Sequence, residues 1–366
     1  MKIELPKWYD LHVHLRQGGA MESFIKAQIS MGCAGVLAMP NTSPPVTKVF
    51  ESDTGDGWSV ESYADMIRKA GGSAFLDFIV PLYLCGKTTP EMIENGANKK
   101  VLRACKYYPP HGTTGAQSAA PLETYINNGV FAAMEKTGVV LCIHGEEHGL
   151  SGENYFGRDG NAEETFYKKR MPEIVKKFPK LKIVCEHITT KIAADFVQKS
   201  GPNVAATITP QHLLFTTGDM VQGFKYHLYC LPLLKFDRDR EALRAAATAA
   251  NNTKFFAGTD SAPHVKKATD CGCAAGCFTG GYAPQLYAQG FEAAGLNLSD
   301  GKAQEIFKRF LCTNGPAFYS LPAPKETFTL EKQEQSVTPL QTPDGAVTPL
   351  PLGVGHSTIP WSVQKF

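Results

Sequence analysis

The chain has 366 residues, of which 43% are apolar and 20% are charged, so it is long enough to bury one large hydrophobic core or two ordinary ones. Its 37 basic and 35 acidic side chains give a formal net charge of +2, and no block of like charges indicates a nucleic-acid or membrane surface. The sequence lacks both an apolar stretch long enough to span a bilayer and the apolar region of a signal peptide, so we expect a cytoplasmic protein.

Short apolar runs alternate with longer stretches of helical character along the chain. Near-continuous apolar runs separated by helices are typical of parallel strands that are covered on both faces. Eight such runs favour a closed (β/α)8 barrel, or TIM barrel, although the pattern alone also allows an open, doubly wound sheet. The predicted strands cover residues 8–15, 33–40, 74–84, 101–108, 139–145, 181–187, 203–210 and 254–260.

The stretches between the runs carry the signals of amphipathic helices. Thr189 or Thr190, and Asp239, are predicted helix N-caps. From Leu321 the composition changes to one rich in Pro, Thr and Gln. We therefore predict a single-domain barrel over residues 1–320, followed by an irregular C-terminal extension over residues 321–366 that packs on it. The predicted helices cover residues 22–32, 59–72, 124–138, 189–201 and 239–252.

Metal-compatible side chains stand at the ends of five predicted strands. In a parallel barrel the carboxyl ends of all strands open onto one rim, where catalytic groups collect. His12 and His14 are two residues apart, so a strand directs both imidazoles to one side, where they can share a divalent metal, typically zinc. An H-x-H pair alone is weak evidence, but the other strand ends make a metal site the favoured interpretation. These are Lys106, His144, His187 and Asp260.

Two other patterns have simpler interpretations. HGEEH (144–148) matches an inverted zinc-protease motif, but that motif needs a helix, whereas VVLCI before His144 and Gly145 after it indicate a strand that enters a loop. CGCAAGC (271–277) has three cysteines and no obvious fourth zinc ligand, so a tight Gly-rich loop is favoured. Other cysteines lie in apolar runs, where free thiols behave as small hydrophobes, which fits a reducing compartment.

Longer motifs around these residues resemble dihydroorotases of the compact bacterial type, in the amidohydrolase superfamily. The resemblance runs from about residue 8 to the C-terminus, and the combination of motifs is highly specific. The motifs are DLHVHLR, AMPNT, CKYYPPHGTT, CIHGE, CEHITTK, ATITPQHLLF, HLYCLPLLK, GTDSAPH, NGPAFYSLP and IPWSV.

The resemblance implies a binuclear zinc centre. One zinc would be held by His12, His14 and Asp260, and the other by His144 and His187. Lys106 is harder to interpret from sequence alone, since most lysines simply extend to solvent, and a cation beside two metal ions is electrostatically wrong. If its amine is carboxylated by CO2, the resulting carbamate is an anion that bridges the two zinc ions.

The implied chemistry is the reversible cyclisation of N-carbamoyl-L-aspartate to L-dihydroorotate in de novo pyrimidine biosynthesis. In the hydrolytic direction an unactivated cyclic amide needs a strong nucleophile at neutral pH. A metal lowers the pKa of bound water from about 15.7 toward 7, so a metal-bridging hydroxide would be the nucleophile. Asp260 would act as the catalytic general base and then as the acid that protonates the leaving nitrogen.

The resemblance also implies how the substrate binds. Arg16, Asn41 and His264 are similar to the residues that grip the substrate carboxylate, and the Arg16 guanidinium offers a rigid two-donor fork for it. The backbones of Leu231 and Ala274 would meet the pyrimidine ring, although CGCAAGC looks one residue longer than the family pattern, which could displace Ala274 by one. The remaining implied contacts are His14, His144 and, in a mobile loop that closes over the substrate, Thr113 and Thr114.

Three rival functions are weaker. Dihydropyrimidinases and hydantoinases share the metal centre, but they carry an extra β-rich domain built partly ahead of the first H-x-H, and only eleven residues precede His12 here. Their substrates also lack the ring carboxylate. A non-catalytic assembly protein would have lost metal ligands, and a phosphate-binding barrel enzyme would need a Gly-rich phosphate loop. We therefore expect an enzyme with a small-molecule substrate that, as the resemblance implies, forms a homodimer.

Overall fold

The computed structural model describes residues 1–110, 112, 115–270 and 272–364. Its centre is a barrel of eight parallel strands, numbered here β1 to β8 in chain order. The third strand is interrupted at Val80 and Pro81, since proline cannot donate to a strand ladder. The strands are β1 Trp8–Val13, β2 Cys33–Ala38, β3 Asp77–Ile79 continued by Leu82–Tyr83, β4 Ala104–Tyr107, β5 Val140–His144, β6 Ile183–Glu186, β7 Val204–Ile208 and β8 Phe255–Ala257.

The strands pair in sequence order and the ring closes on itself. β2 pairs with β1 and with the first part of β3, and β4 pairs with the second part of β3. The remaining strands also pair in sequence order, from β4 through β5, β6 and β7 to β8. Just beyond β8, Ser261 bridges Val13 in parallel, and the Asp260 amide donates to the His12 carbonyl at 2.9 Å. The fold is therefore the closed barrel and not the open sheet.

Apolar side chains pack in two layers, one inside the barrel and one between the strands and the helices. Tyr9 and Leu11 of β1 belong to the interior cluster, with Phe256 of β8, whereas Trp8 and Val13 belong to the outer cluster. Along β1 the register is irregular between Asp10 and Val13. This irregularity changes which residues of β1 face the barrel interior near its carboxyl end.

Helices connect the strands, and none in the described part of the chain is long and apolar enough to cross a membrane. Short 3₁₀ turns lie at Gly72–Ala74, Ala116–Ser118, Gly152–Asn154 and Tyr226–Leu228, and a π-helical turn at Arg309–Thr313. The α-helices are α1 Met21–Ser30, α2 Val60–Lys69, α3 Pro90–Asn98, α4 Leu122–Asn127, α5 Val130–Thr137, α6 Ala162–Lys177, α7 Lys191–Lys199, α8 Pro210–Leu214, α9 Thr217–Val221, α10 Asp237–Thr248, α11 Ala283–Ala293, α12 Gly301–Lys308, α13 Asn314–Tyr319 and α14 Leu350–Gly353.

Two details of the helix prediction were wrong. The helix expected over residues 124–138 is divided into α4 and α5, because Gly129 takes a left-handed conformation with φ 86°. Asp239 is not an N-cap, since α10 begins at Asp237 and Asp239 lies buried in its first turn, where its carboxylate accepts from the Lys191 amide at 2.9 Å. Thr190 does cap α7 and accepts from the Ala193 amide.

Short antiparallel strands join the two ends of the chain beside the barrel. Thr327–Glu331 pairs with Lys2–Pro6 and with Ser362–Val363, and Trp361 is fully buried next to the latter. The remaining short pairs are Val46–Lys48 with Trp58–Ser59 (parallel), and, antiparallel, Ala268–Thr269 with Gly272–Cys273, Gln335–Ser336 with Thr358–Ile359, and Leu340–Thr342 with Gly345–Val347.

Candidate active site

The six residues expected to bind metal stand at or just beyond the carboxyl ends of five barrel strands. His144 ends β5, His187 directly follows β6, and Asp260 lies three residues after β8. All six side chains are buried, with His14 the most exposed at 9%. Parallel strands end on the same rim, so the barrel itself brings them together.

Distances among these side chains describe one continuous cluster. The Asp260 Oδ1 lies 3.0 Å from His14 Nε2 and 3.3 Å from His12 Nε2. The ring of His187 is centred 4.9 Å from that of His12 and 4.7 Å from that of His144. Lys106 is linked to the cluster by its contact with Glu186, whose other carboxylate oxygen is 3.1 Å from His12 Nδ1.

Two groups of potential metal ligands overlap at His12. The first is His12, His14 and Asp260, and the second is His12, Glu186 and His187; within each group the ligand atoms lie within 4.8 Å of one another. Glu186 was missed at the sequence level. The signal that could have found it is an acidic residue that ends the apolar strand β6, since a buried carboxylate needs a charged or donating partner.

Burial and neighbouring charges set the protonation of the cluster. Burial lowers the pKa of His14 to about 4 and that of His187 well below its ordinary value. Burial also disfavours the charged form of His12, but the Glu186 and Asp260 carboxylates outweigh it and raise the pKa of His12 to about 9. His14 and His187 are thus neutral imidazoles, the form that binds metal.

The donor set fits a divalent metal such as zinc. The Nδ1 atom of His187 is buried without a hydrogen-bond partner in the part of the chain that the structure describes, which would be unfavourable unless something binds there. Imidazole nitrogens and a carboxylate are the ligands that zinc prefers. His144 is currently paired with Glu146, whose Oε2 lies 2.7 Å from His144 Nε2.

Three site residues other than glycine adopt left-handed backbone conformations. The φ angles are 59° at Arg16, 41° at His187 and 48° at Asp260. The backbones of the first two form a hydrogen bond with a buried side chain. The Tyr63 hydroxyl donates to the Arg16 carbonyl at 2.7 Å, and the His187 amide donates to the Thr207 hydroxyl at 2.7 Å.

The third of these residues is held through its neighbour. The buried carboxylate of Asp10 accepts from the Thr259 hydroxyl at 2.6 Å and from the Thr259 amide at 2.9 Å. Thr259 directly precedes Asp260, so these bonds fix the chain where it enters the cluster of candidate metal ligands. Asp10 also accepts from Gln28 at 3.2 Å, which ties the arrangement to α1.

Arg16 and His264 lie side by side next to the cluster. Arg16 Nη2 is 3.3 Å from His264 Nε2, and Arg16 Nε donates to the Pro263 carbonyl at 3.3 Å. Burial and the Arg16 charge lower the pKa of His264 to about 4, so His264 is neutral near pH 7. Asn41 follows the carboxyl end of β2 and lies against Gly115, where an added Cβ would be 3.2 Å from the Asn41 Cβ.

The two residues expected to meet the substrate ring lie in different loops. Leu231 precedes a cis peptide bond to Pro232. Both backbone groups of Ala274 are already paired with Lys267, whose carbonyl accepts from the Ala274 amide at 2.8 Å and whose ammonium donates to the Ala274 carbonyl at 2.6 Å. The carbonyl that reaches His264 belongs to Ala275, at 2.8 Å from Nε2. Thr113 and Thr114 lie outside the described residues.

Among the described residues, the two patterns set aside at the sequence level do not form metal sites. Residues 145–148 are not helical, and the His148 side chain is 35% exposed, 3.9 Å from Glu147. In the CGCAAGC segment, Gly272–Cys273 is one strand of a short hairpin, and no cysteine joins either group of potential ligands among the described residues.

Comparisons with known proteins agree with this geometry. No family model matches the chain. The dihydroorotase of Halorhodospira halophila is 38% identical over 368 residues, which covers 99% of each chain, and that of Shewanella amazonensis is 40% identical over 361 residues and 97% of each. The structure of dihydroorotase from Saccharomyces cerevisiae in complex with 5-fluoroorotic acid has a TM-score of 0.84 at 28% identity, and covers 100% of this chain and 98% of that one.

A more distant structure shares the fold alone. Dihydropyrimidinase from Brevibacillus agri has a TM-score of 0.72 at 14% identity, and the match covers 99% of this chain but 82% of that one.

Proposed function

The chain belongs to the dihydroorotase family, and we propose that it catalyses the reversible cyclisation of N-carbamoyl-L-aspartate to L-dihydroorotate in de novo pyrimidine biosynthesis. The observation that carries this proposal is the position of the Arg16 and His264 pair beside a buried cluster of metal-binding side chains. Hydrolysis of a cyclic amide that bears a carboxylate needs both a metal centre that activates water and a group that binds the carboxylate. A hydantoinase substrate lacks the carboxylate and would leave the guanidinium without a partner.

We propose that the cluster holds two zinc ions. His12, His14 and Asp260 would hold one ion, and His144 and His187 would hold the other, with carboxylated Lys106 between them. Lys106 is fully buried with its amine beside the Glu186 carboxylate, and with two zinc ions bound an ammonium there would be repelled by the metal charge whereas a carbamate would be attracted. When bound, zinc lowers the pKa of water and polarises the scissile carbonyl.

The residues of the chain then handle the proton and the substrate. In hydrolysis the ring C–N bond breaks, the oxygen of water becomes part of the new carboxylate, and the ring nitrogen gains a proton. The Asp260 carboxylate takes that proton from water and passes it to the nitrogen. The positive φ of Asp260, and the hydrogen bonds that the Asp10 carboxylate accepts from Thr259, fix the position of the Asp260 carboxylate for both proton transfers.

Specificity for the acidic substrate rests on the clamp beside the cluster. Arg16 would pair with the carboxylate through two parallel hydrogen bonds and the Asn41 amide would donate a further one, while neutral His264, whose Nε2 donates to the Ala275 carbonyl, would lie against the Arg16 guanidinium. Leu231 would face the ring through its backbone. We propose that the backbone group across the ring from Leu231 belongs to Ala275 in place of Ala274, because both backbone groups of Ala274 are paired with Lys267, whereas the Ala275 carbonyl pairs with His264 of the clamp. His14 and His144 complete the proposed substrate contacts.

Some parts of the proposal rest on the family resemblance. These are a homodimer, a cytoplasmic location, closure of Thr113 and Thr114 over the substrate, and the division into a barrel over residues 1–320 and an extension over residues 321–366. Light scattering measures the first directly. Protection of the loop by bound ligand in hydrogen exchange would support closure, and equal exchange with and without ligand would contradict it.

The decisive experiment is a paired hydrolysis assay on zinc-loaded protein with dihydroorotate and uncharged dihydrouracil. Turnover of dihydroorotate alone is expected. Preference for dihydrouracil would overturn the substrate, and inactivity on both would favour a non-catalytic role. Metal analysis and intact mass test the centre separately, since Lys106→Ala should lose bound zinc as well as the added mass of CO2.

A further inference from the structure

Lys267 lies between the two loops that carry the proposed contacts to the substrate ring. One loop runs through Tyr229 to Leu231, and the other follows the hairpin of Ala268–Thr269 and Gly272–Cys273. The Lys267 side chain points inward and the residue is 7% exposed. Its Nζ lies 2.7 Å from the Tyr229 carbonyl oxygen and 2.6 Å from those of both Ala274 and Gly276.

The number of acceptors matches the charged form of the side chain. A lysine ammonium has three N–H donors, whereas a neutral amine has two, so three converging carbonyl oxygens use every donor of the cation. These partners are carbonyl dipoles from two separate loops and not a carboxylate. The contact therefore joins two backbone segments through one charge.

The joined segments are those that would bracket the ring. Tyr229 precedes Leu231 by two residues, and its carbonyl also accepts from the Gly276 amide at 2.9 Å. Ala275 stands between Ala274 and Gly276, both of which Lys267 holds, and its carbonyl accepts from His264. At Gly276 an added Cβ would be 2.6 Å from the Ala262 Cβ and 3.0 Å from His264 Nε2, so the loop packs directly on the chain that leaves Asp260.

We propose that Lys267 is a positioning residue that clamps the Leu231 loop to the Ala275 carbonyl and thereby sets the gap in which the substrate ring binds. This inference rests on the proposed function and extends it to a residue that touches neither the metal ligands nor the reacting atoms. Without the ammonium, the buried Ala274 and Gly276 carbonyl oxygens would lose the donor that they share, the Tyr229 carbonyl would keep the Gly276 amide, and the gap between the two loops would widen.

The test compares Lys267→Met with Lys266→Met. Methionine keeps the length of the side chain but removes all donors, and the neighbouring Lys266 is exposed. The probe is 5-fluoroorotic acid, the ligand in the related Saccharomyces structure, with binding measured by calorimetry on zinc-loaded protein. We expect Lys267→Met to weaken binding, and to raise KM for dihydroorotate, by about tenfold or more, because buried carbonyl oxygens would lose their donor.

Zinc content and kcat distinguish a positioning role of Lys267 from a general loss of structure. The zinc content of Lys267→Met should equal that of the wild type, and kcat should change much less than KM, whereas Lys266→Met should match the wild type throughout. Unchanged affinity in folded Lys267→Met overturns the inference, as does a parallel fall of kcat and zinc content. If the methionine variant does not fold, Lys267→Gln takes its place; its shorter side chain offers two donors for three carbonyl oxygens, so a smaller rise in KM at unchanged zinc content is expected, and unchanged affinity overturns the inference.

The same experiment distinguishes failure of this inference from failure of the proposed function. Wild-type protein that is loaded with zinc but neither binds 5-fluoroorotic acid nor hydrolyses dihydroorotate would overturn both. If the wild type binds 5-fluoroorotic acid and hydrolyses dihydroorotate, but the Lys267 variant binds with equal affinity, only the role of Lys267 is overturned.

Discussion

Removal of the Tyr63 hydroxyl should weaken substrate binding without any change to a residue that touches the substrate. Tyr63 lies in α2 and is fully buried, and its hydroxyl donates to the carbonyl of Arg16 at 2.7 Å. Arg16 has a φ of 59°, a conformation that a residue with a side chain adopts only when its surroundings hold it there. In Tyr63→Phe the carbonyl loses its donor, and the main restraint on this conformation is lost.

The size of the effect follows from the bond that is lost. A buried acceptor left without a donor is unfavourable by about 1–3 kcal/mol, and a left-handed conformation costs about 1–2 kcal/mol for an L-residue. If the loss appears in binding of the carboxylate, KM for dihydroorotate rises between about fivefold and about a hundredfold. The change in kcat should be small, because the Tyr63 hydroxyl bonds to the Arg16 backbone and not to a candidate metal ligand.

Steady-state kinetics on zinc-loaded Tyr63→Phe measure this split, with Tyr9→Phe as the matched control. Tyr9 is also fully buried, and its hydroxyl also donates to one carbonyl, that of Pro322, at 2.9 Å, but it lies near the amino end of β1. Both variants should lose a similar free energy of unfolding, while Tyr9→Phe keeps the wild-type KM. A wild-type KM in Tyr63→Phe, or an equal rise in both variants, would refute the reasoning.

Three further outcomes are expected. Arg16→Lys should raise KM for dihydroorotate by about tenfold or more, because an ammonium cannot replace the two-donor fork, and an unchanged KM would exclude Arg16 from the clamp. A chelator should abolish turnover and lower Tm, and added zinc should restore both, since metal binds only the folded state; turnover that persists at full metal depletion would contradict a metal-dependent mechanism. The pKa of His264 is about 4 in the folded chain against an ordinary 6.5, so the unfolded chain takes up the proton first and stability falls as pH drops from 6.5 toward 4. Urea unfolding at pH 7 and pH 4.5 should show a smaller acid loss in His264→Gln than in the wild type, and equal losses would exclude this titration.

The strands could be predicted from the sequence because they are buried on both faces, and their number favoured a closed barrel over an open sheet. β5 and β7 are continuous buried runs, which the apolar pattern marks without ambiguity. The boundaries of the helices were predicted less accurately where helix-breaking residues or tertiary packing oppose the helical periodicity. Gly129 ends α4 within a stretch that otherwise has helical periodicity, and the start of α10 at Asp237 depends on packing that the pattern does not contain.

The candidate metal ligands could be predicted for a different reason. The carboxyl ends of all barrel strands meet at one rim, so polar residues at those ends are predicted to lie close together. Glu186 was missed because its importance comes from partners on other strands, Lys106 of β4 and His12 of β1, and no spacing along the chain connects them. The choice between Ala274 and Ala275 likewise depends on which carbonyl Lys267 already holds.

The left-handed residues at the site show why its geometry does not depend on the metal alone. Arg16, His187 and Asp260 all stand just beyond a strand, where a positive φ turns the chain away from the strand direction while the side chain stays at the rim. Each conformation costs about 1–2 kcal/mol, so it persists only if another group holds it. Tyr63, Thr207 and Asp10 are such groups, they are buried, and they come from three different elements. The folded barrel therefore contributes to the shape of the site, and substitution of any of the three should alter the geometry of the candidate metal ligands while all of their side chains are still present.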